Sequence, residues 1–556
     1  MTDSGWQGHR SIVTLSYASG PSVVPLLGET IGANLARTVA RVPDRVALVS
    51  CHQGLRYTYA ELDAAVDVVA RGLLDLGVDK GDRVGIWSPN VAEWVLVQFA
   101  TARVGAILVT LNPAYRSAEL EYALNQSGCS VLFAAPSFKS SDYRAMLDAV
   151  ADELPALERT VFFWSPEWDA LRSAGEAVAP SRLEARAGAL DCDDAINIQY
   201  TSGTTGFPKG ATLSHHNILN NGWFVGEACG YDETDKVCIP VPFYHCFGMV
   251  IGNLGCTTHG ATMVLPEAGF DAGAVLRAVE AEGCTSLYGV PTMFIAELAH
   301  PDFARFDLSS LRTGIMAGSP CPVEVMKQVI TSMHMQDVTI CYGMTETSPV
   351  STQTRGTDDI DKRVSSVGTV HPHVEVKIVD AATGATLERG QPGELHTRGY
   401  SVMRGYWDDP ERTAEAIDRA GWMHTGDVAV MDDDGYVSIV GRIKDMIIRG
   451  GENVYPREIE EFLYGHPDIE DVQVFGVPDA RYGEEIAAWI RPRPGATLDE
   501  DTVRAWCRER IAHFKVPRYV RIVAEFPMTV TGKVQKYKMR DAMADELARA
   551  GSAARP

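Results

Sequence analysis

The sequence predicts an α/β fold in two parts. A large N-terminal domain with βαβ-type sheets and a small β-rich subdomain is followed by a small α+β C-terminal domain. Three observations predict this. Strand-like and helix-like segments alternate through the first two thirds of the chain. Near Thr369 short alternating strands with Gly and Asp turns take over. After Gly441 a new set of helices and strands begins, compact enough for a core of its own. A chain of 556 residues also exceeds what one core serves.

The elements follow in order. Thr58 and Glu61 form a capping-box pattern, with Leu62, Val66, Val69, Leu73 and Leu76 at helical spacing behind it and Gly77 as the stop. Residues 83–87 (RVGIW) read as a strand, broken by Pro89 and Asn90. VAEWVLVQFATARVG reads as a helix and AILVTLNP as a strand, which together make a βαβ unit on a parallel sheet. The alternation returns at residues 274–289 and 323–342. VEVKIVD, GELHTRG and GYVSIVG are short strands, and Asp434-Gly435 marks a hairpin. The last part reads as helices at 457–464 and 499–511 and strands at 472–477, 486–490 and 519–523. The domains are therefore placed at 1–441 and 442–556, with the boundary near Arg442. The tail ELARAGSAARP is expected to fray.

Bulk properties exclude several classes. A formal charge of -23 and a pI near 5.0 repel nucleic acid and anionic membrane. The 11 cysteines show no C-x-x-C spacing, so they read as free thiols rather than a zinc or redox site. No apolar run spans a bilayer, and MTDSGWQGHR lacks a signal-peptide layout, so the chain is expected to be cytoplasmic. H-E-x-x-H is absent, and Asp432-Asp433-Asp434-Gly435 is a hairpin turn rather than a calcium loop.

The stretch with the most chemistry is YTSGTTGFPKG, residues 200–210. It follows the strand-like INIQY and precedes the strand-like ATLS, with Ser214 placed to cap a helix beginning HHNIL. The loop joins two strands, and Pro208 before Lys209 departs from the Walker A pattern. Its physics is related. Gly203, Gly206 and Gly210 let backbone N–H groups turn toward one point. Thr201, Ser202, Thr204 and Thr205 add hydroxyl donors, and Lys209 adds a point charge. Such a concavity suits a polyphosphate; the plain alternative is a polar surface loop.

This loop resembles the phosphate-binding loop of the ANL superfamily of adenylate-forming enzymes. That superfamily includes acyl-CoA synthetases, adenylation domains of nonribosomal peptide synthetases and firefly luciferase. Five more segments match in order: PFYHCFG, CYGMTET, HTGD, GRIKDMIIRGGENVYPREIE and PMTVTGKVQK. The resemblance covers nearly the whole chain. VPFYHCFG, LYGVPTMF and MAGSPCP bring it closest to the medium-chain acyl-CoA synthetases.

The resemblance implies an ANL fold and a two-step ligase: ATP and a fatty acid give acyl-AMP, and coenzyme A then takes the acyl group. By resemblance, residues Thr201 to Lys209, including Phe207 and Pro208, hold the terminal phosphates. Glu346 places Mg²⁺, Thr345 meets the α-phosphate, Tyr342 lies against adenine, and Asp427 and Arg442 hold the ribose. Lys533 carries the first half-reaction, although without the family it would read as a solvated lysine on a turn. Lys444 is the hinge about which the small domain rotates. Gly450 and Gly451 line the pantetheine channel, or form an ordinary turn. His245 gates the thiol tunnel, or is a satisfied core histidine.

Residues 243–250 (FYHCFGMV) carry no acid to pair an amino-acid ammonium, which would be costly left unpaired. Met249, Val250, Gly318, Met344 and Val350 read as an apolar acyl pocket. Small molecules are thus the expected partners, with no nucleic acid, no stable membrane insertion and a homodimer allowed. Two alternatives stay open: a fatty acyl-AMP ligase that loads a carrier protein, and a non-catalytic nucleotide-binding relative. No carrier segment follows Lys536, and Lys533, Glu346 and Asp427 are all present, which speaks against both.

Overall fold

The computed structural model describes residues 14–201, 208–319, 321–450, 452–479, 481–508, 510–529 and 533–553. The first βαβ unit forms as the sequence predicts. Strand Arg83–Trp87 pairs in parallel with Ile107–Leu111 and Val131–Ala134. Helix Ala92–Val104 connects the first two strands and is buried at every position, as expected for a helix apolar on nearly all sides. Its one arginine, Arg103, is neutralised by Asp63 and Asp67 from the neighbouring helix Tyr59–Asp75. That helix starts in the predicted Thr58–Glu61 capping box.

Seven strands make the first sheet: Gly405–Tyr406, Lys209–Ser214, Ala195–Thr201, Ile107–Leu111, Arg83–Trp87, Val131–Ala134 and Arg159–Phe162. A nine-stranded sheet packs with it. Its centre is parallel, from Asp337–Gly343 through Thr313–Ala317, Ser286–Gly289, Lys236–Cys238 and Thr262–Leu265 to Val46–Ser50. The third sheet is antiparallel and β-rich as expected: Tyr17–Ser19, Val374–Val379, Gly393–Gly399, Met423–Met431 and Val437–Arg442. Asp434-Gly435 turns between its last two strands, with Gly435 at φ +87°.

The chain leaves this sheet at Arg442, and a single turn, Ile443–Asp445, leads into the small domain. There Ile447–Arg449, Glu452–Val454, Ile469–Asp479, Gly483–Pro492 and Tyr519–Ile522 form one sheet. Ile447, Ile459, Leu463, Val474 and Ile490 fill one face. Phe475, Trp489, Phe526, Met539 and Met543 fill the other. Ile469–Asp479 and Gly483–Pro492 run longer than the sequence suggests. The helix expected at 499–511 is Glu500–Cys507: Asp499 is its N-cap, and the backbone turns extended at Arg508. The tail does not fray up to Ala553. It is the end of helix Lys536–Ala553, which is held where Met539 and Met543 pack on the second face and Glu546 pairs with Arg521.

Glu485 ties this domain together. It is fully buried, and its carboxylate accepts from Arg449 Nε at 2.9 Å and Nη2 at 2.8 Å, locking two strands. Glu485→Ala strands a largely buried guanidinium, so it should cost the small domain about 3–5 kcal/mol. Urea unfolding, together with faster amide exchange along Gly483–Pro492, would measure this.

Candidate active site

The phosphate-type loop hangs from a rigid stem. Ala195–Thr201 and Lys209–Ser214 pair antiparallel, with Thr201 opposite Lys209 and Tyr200 opposite Gly210. Ser214 then caps helix His215–Cys229 with a capping box to Asn217. Ser202, Gly203, Thr204, Thr205, Gly206 and Phe207 lie outside the described residues. Gly210 has a different reason to be glycine than the sequence suggests. It sits within the strand, where a Cβ would meet Ile198 Cγ2 at 2.8 Å.

At the base of the loop four side chains converge. Thr201 Oγ1 donates to Glu346 Oε1 at 3.5 Å. Tyr406 OH donates to the same oxygen at 2.8 Å. Lys209 Nζ lies 3.5 Å from that hydroxyl and 4.5 Å over the Tyr406 ring. Glu346 is 5% exposed, and no ion pair neutralises it among the described residues. A buried carboxylate beside a hydroxyl is a donor set that suits a hard cation. Tyr406 is a site residue that the sequence reading missed. Only its place in an aromatic pair, Tyr406-Trp407, hints at it. Trp407 completes the frame by donating its N–H to Gly210 O at 2.7 Å.

A second group forms at the end of the β-rich sheet. Asp427 and Arg442 are direct partners on adjacent strands, and Arg442 Nε lies 3.1 Å from Asp427 Oδ1. Tyr342, at the end of Asp337–Gly343, donates its hydroxyl to Asp427 Oδ2 at 2.7 Å. Burial, with the Asp427 charge next, pushes the Tyr342 phenol well up, so it stays a donor. Thr345 lies buried on the turn Thr345–Thr347 that follows, next to Glu346. The two groups therefore share one segment, residues 342–346.

The small domain brings a lysine to this corner. Lys533 closes a tight hairpin: its N–H donates to Thr529 Oγ1 at 3.0 Å, and Met528 bridges to Val534. Its side chain stays open to solvent yet is surrounded by protein atoms in the cleft. Crowding pushes its ammonium down to about 8, helped by Arg442 and Lys444 and opposed by Asp427 and Asp445. Lys444 sits in the connecting turn, its ammonium also lowered, first by desolvation and then by Arg442. Gly450 stays on its own domain, at φ +61°, donating to Tyr482 O at 2.8 Å. Gly451 lies outside the described residues.

His245 faces the same cleft. Its Nδ1 accepts from Phe247 N at 3.3 Å. Burial, then the Lys533 charge, pushes its imidazole down to about 4, so it is neutral at physiological pH. Directly after it, Phe247–Leu254 is a π-helix, a rare form that the sequence did not reveal. Gly248 packs so close that a Cβ would meet Pro242 O at 2.4 Å. Gln98 secures the wide turn by donating to Met249 O at 3.0 Å and accepting from Asn253 Nδ2 at 2.7 Å. Met249 and Val250 on this helix join Val350 in the core cluster, with Met344 packed against it. Gly318 follows strand Thr313–Ala317 at φ +90°, where a Cβ would crowd Val290. Beside His245 a cavity of about 570 Å³ opens between the domains, lined by Tyr244, Phe138 and Met293 on one side and Met528 and Thr529 on the other.

The stem of a glycine-rich loop, a buried acid paired with arginine, and a lysine delivered by the small domain meet in one cleft, and the family match makes the chain an AMP-binding enzyme. The chain belongs to the AMP-binding enzyme family, whose profile matches residues 35–407, and the family's C-terminal domain matches residues 458–533. YngI of Bacillus subtilis (strain 168), whose name assigns it provisionally to the acyl-CoA synthetases, is 50% identical over 93% of this chain and 97% of its own. The mitochondrial medium-chain acyl-CoA ligase ACSF2 of Danio rerio is 46% identical over 95% of this chain and 91% of its own. Among solved structures, the anthranilate CoA ligase AuaEII in complex with anthranoyl-AMP superposes with a TM-score of 0.84 at 27% identity, covering 94% of this chain and 99% of that one. ATP-bound MatB from Rhodopseudomonas palustris gives 0.80 at 30% identity, covering 92% and 99%.

The Gly210 reading is testable. Gly210→Ala should destabilise the large domain by about 1–3 kcal/mol through overpacking against Ile198. Thermal unfolding of the variant checks it; unchanged stability would return Gly210 to a role in the loop.

Proposed function

We propose that the protein is an AMP-forming fatty acid–CoA ligase acting on medium-chain acids. The carrying observation is the position of Lys533, presented by the small domain to a cleft that holds Asp427, Arg442 and His245 on one side and leads to Glu346 on the other. A carboxylate is a poor acyl donor because oxide would have to leave. In the first step a carboxylate oxygen attacks the α-phosphorus of ATP and pyrophosphate departs. Lys533 stabilises the negative charge that gathers between the two anions. Asp427 accepts from the ribose hydroxyls and Arg442 donates beside it. Thr201 and Lys209 face the terminal phosphates.

Mg²⁺ would be held by Glu346 with Thr201 alongside, and when bound it offsets phosphate charge. In the second step the CoA sulfur attacks the acyl carbonyl and AMP leaves. Lys533 and the thiol compete for one face, so the small domain must turn between steps. Lys444, in the turn after Arg442, is where we place the hinge, with domains at 1–441 and 442–556. The neutral His245 stands beside the cavity as a gate rather than a base.

Residues 243–250 carry no acid to pair an amino-acid ammonium, which supports an unadorned fatty acid. The identity to the ligases named for medium-chain acids supports the chain length. No helix among the described residues is long and apolar enough to cross a membrane. The formal charge of -23 disfavours binding to anionic membrane surfaces.

The purified protein with Mg-ATP and a ladder of straight-chain acids, with and without CoA, tests the reading. Acyl-CoA peaking at a medium chain length is expected. Acyl-AMP that accumulates and ignores CoA would shift the reading to a carrier-loading ligase. Lys533→Ala should lower adenylation by about two to three orders of magnitude while largely sparing thioester formation from supplied acyl-AMP. Equal loss of both would argue against a rotating small domain. The lysine works protonated, so kcat/KM for adenylation should fall as pH rises through about 8. Thioester formation from acyl-AMP should lack that inflection.

A further inference from the structure

The β-rich sheet carries a second cluster that the adenylation chemistry does not use. His396 and His424 are direct cross-strand partners on Gly393–Gly399 and Met423–Met431, and their rings stack 4.0 Å apart. Glu394 lies two residues along from His396. One donor atom from each of Glu394, His396 and His424 lies within 4.8 Å of the others. We propose that Glu394, His396 and His424 form a binding site for a divalent transition metal of the zinc class, separate from the Glu346 position.

The first argument is an unpaid polar debt. The His396 side chain is 6% exposed; its Nδ1 makes no hydrogen bond among the described residues, and its Nε2 meets the Glu394 carboxylate at 3.3 Å. His424 Nε2 is likewise buried and without a hydrogen bond. Buried polar atoms left in this way are rare and costly, and a metal is one group that satisfies them. The second argument is geometric. Glu394 Oε2 lies 3.3 Å from His396 Nε2. Tetrahedral zinc with bonds of about 2.0–2.1 Å sets its ligands roughly 3.3–3.4 Å apart. Binding asks the His424 ring to turn out of the stack so that the lone pairs converge. Its side chain is 38% exposed, which gives it room and gives the ion a way in.

The donor chemistry selects the metal. Two imidazoles and one carboxylate suit zinc, nickel or copper, and not magnesium. Asp418 Oδ2, 3.9 Å from His424 Nε2, is the next donor outward. Lys377, opposite His396 on the third strand, works against the site. Its ammonium is drawn aside over the Trp422 ring at 4.4 Å.

The site touches the nucleotide corner through its own ligand. Glu394 Oε1 accepts from Gly426 N at 3.2 Å, within the irregular register that brings Asp427 to its place.

Zinc binding to chelator-stripped, tag-free protein tests the proposal, measured by competition with a colorimetric chelator. Cobalt(II) absorption reports the ligand set. One zinc equivalent is expected, with cobalt bands typical of nitrogen and oxygen donors. His424→Ala, at the exposed partner, and His396→Ala should each weaken binding by about tenfold or more. His216→Ala, in the unrelated Cys192, Asp193 and His216 grouping, should not weaken it. Wild-type protein that binds no zinc would overturn the proposal, as would binding unchanged in folded His424→Ala protein.

Discussion

One nearly buried carboxylate organises the cleft. Asp427 is 7% exposed and cannot be left without partners at that depth. The Tyr342 hydroxyl reaches it from the parallel sheet, and the Arg442 guanidinium reaches it from the next strand of the antiparallel sheet. Lys533 adds a positive charge from the small domain. Three separately folded pieces of the chain thus converge on one acid. Arg442 is also the last residue before the connecting turn, so its pairing with Asp427 lies at the point where the small domain departs.

The other end of the cleft follows a different rule. There the structure combines a loop rich in glycine with a stem that has little freedom. The Tyr200 hydroxyl donates to Ala123 O at 2.9 Å, the Tyr122 hydroxyl donates to Pro208 O at 3.1 Å, and the Trp407 backbone N–H donates to Gly210 O. The two tyrosines do this well, since each buries a large ring and still satisfies one backbone group. Held at the stem, Lys209 rests over Tyr406 rather than against Glu346, which keeps the carboxylate unneutralised.

Local chemistry was legible in the sequence. The Thr58–Glu61 capping box, the Ser214 cap, the first βαβ unit and the Asp434-Gly435 hairpin each depend on residues close together in the chain, and each formed. The motif residues Thr201, Lys209, Tyr342, Glu346, Asp427, Arg442 and Lys533 could be named in the same way, because their segments resemble a known family. Tyr406 could not. Its importance comes from meeting Glu346 and Lys209, which lie 60 and 197 positions away in sequence. The π-helix after His245 was equally hidden, because Gln98, on a distant segment, secures it.

The sequence by itself determined the class of fold, the order of the elements, the two-domain organisation and the identity of the polar residues. These follow from hydrophobic period, turn chemistry and motif, which are properties of neighbouring residues. Tertiary structure alone decided that the tail is helical up to Ala553, that Gly210 is glycine for packing, and that the His396 and His424 rings stack beside Glu394. It also decided that Lys533 meets Arg442 and Asp427 in a crowded cleft. Burial, desolvation and convergence depend on what distant segments bring to one place, and a linear pattern does not carry that information.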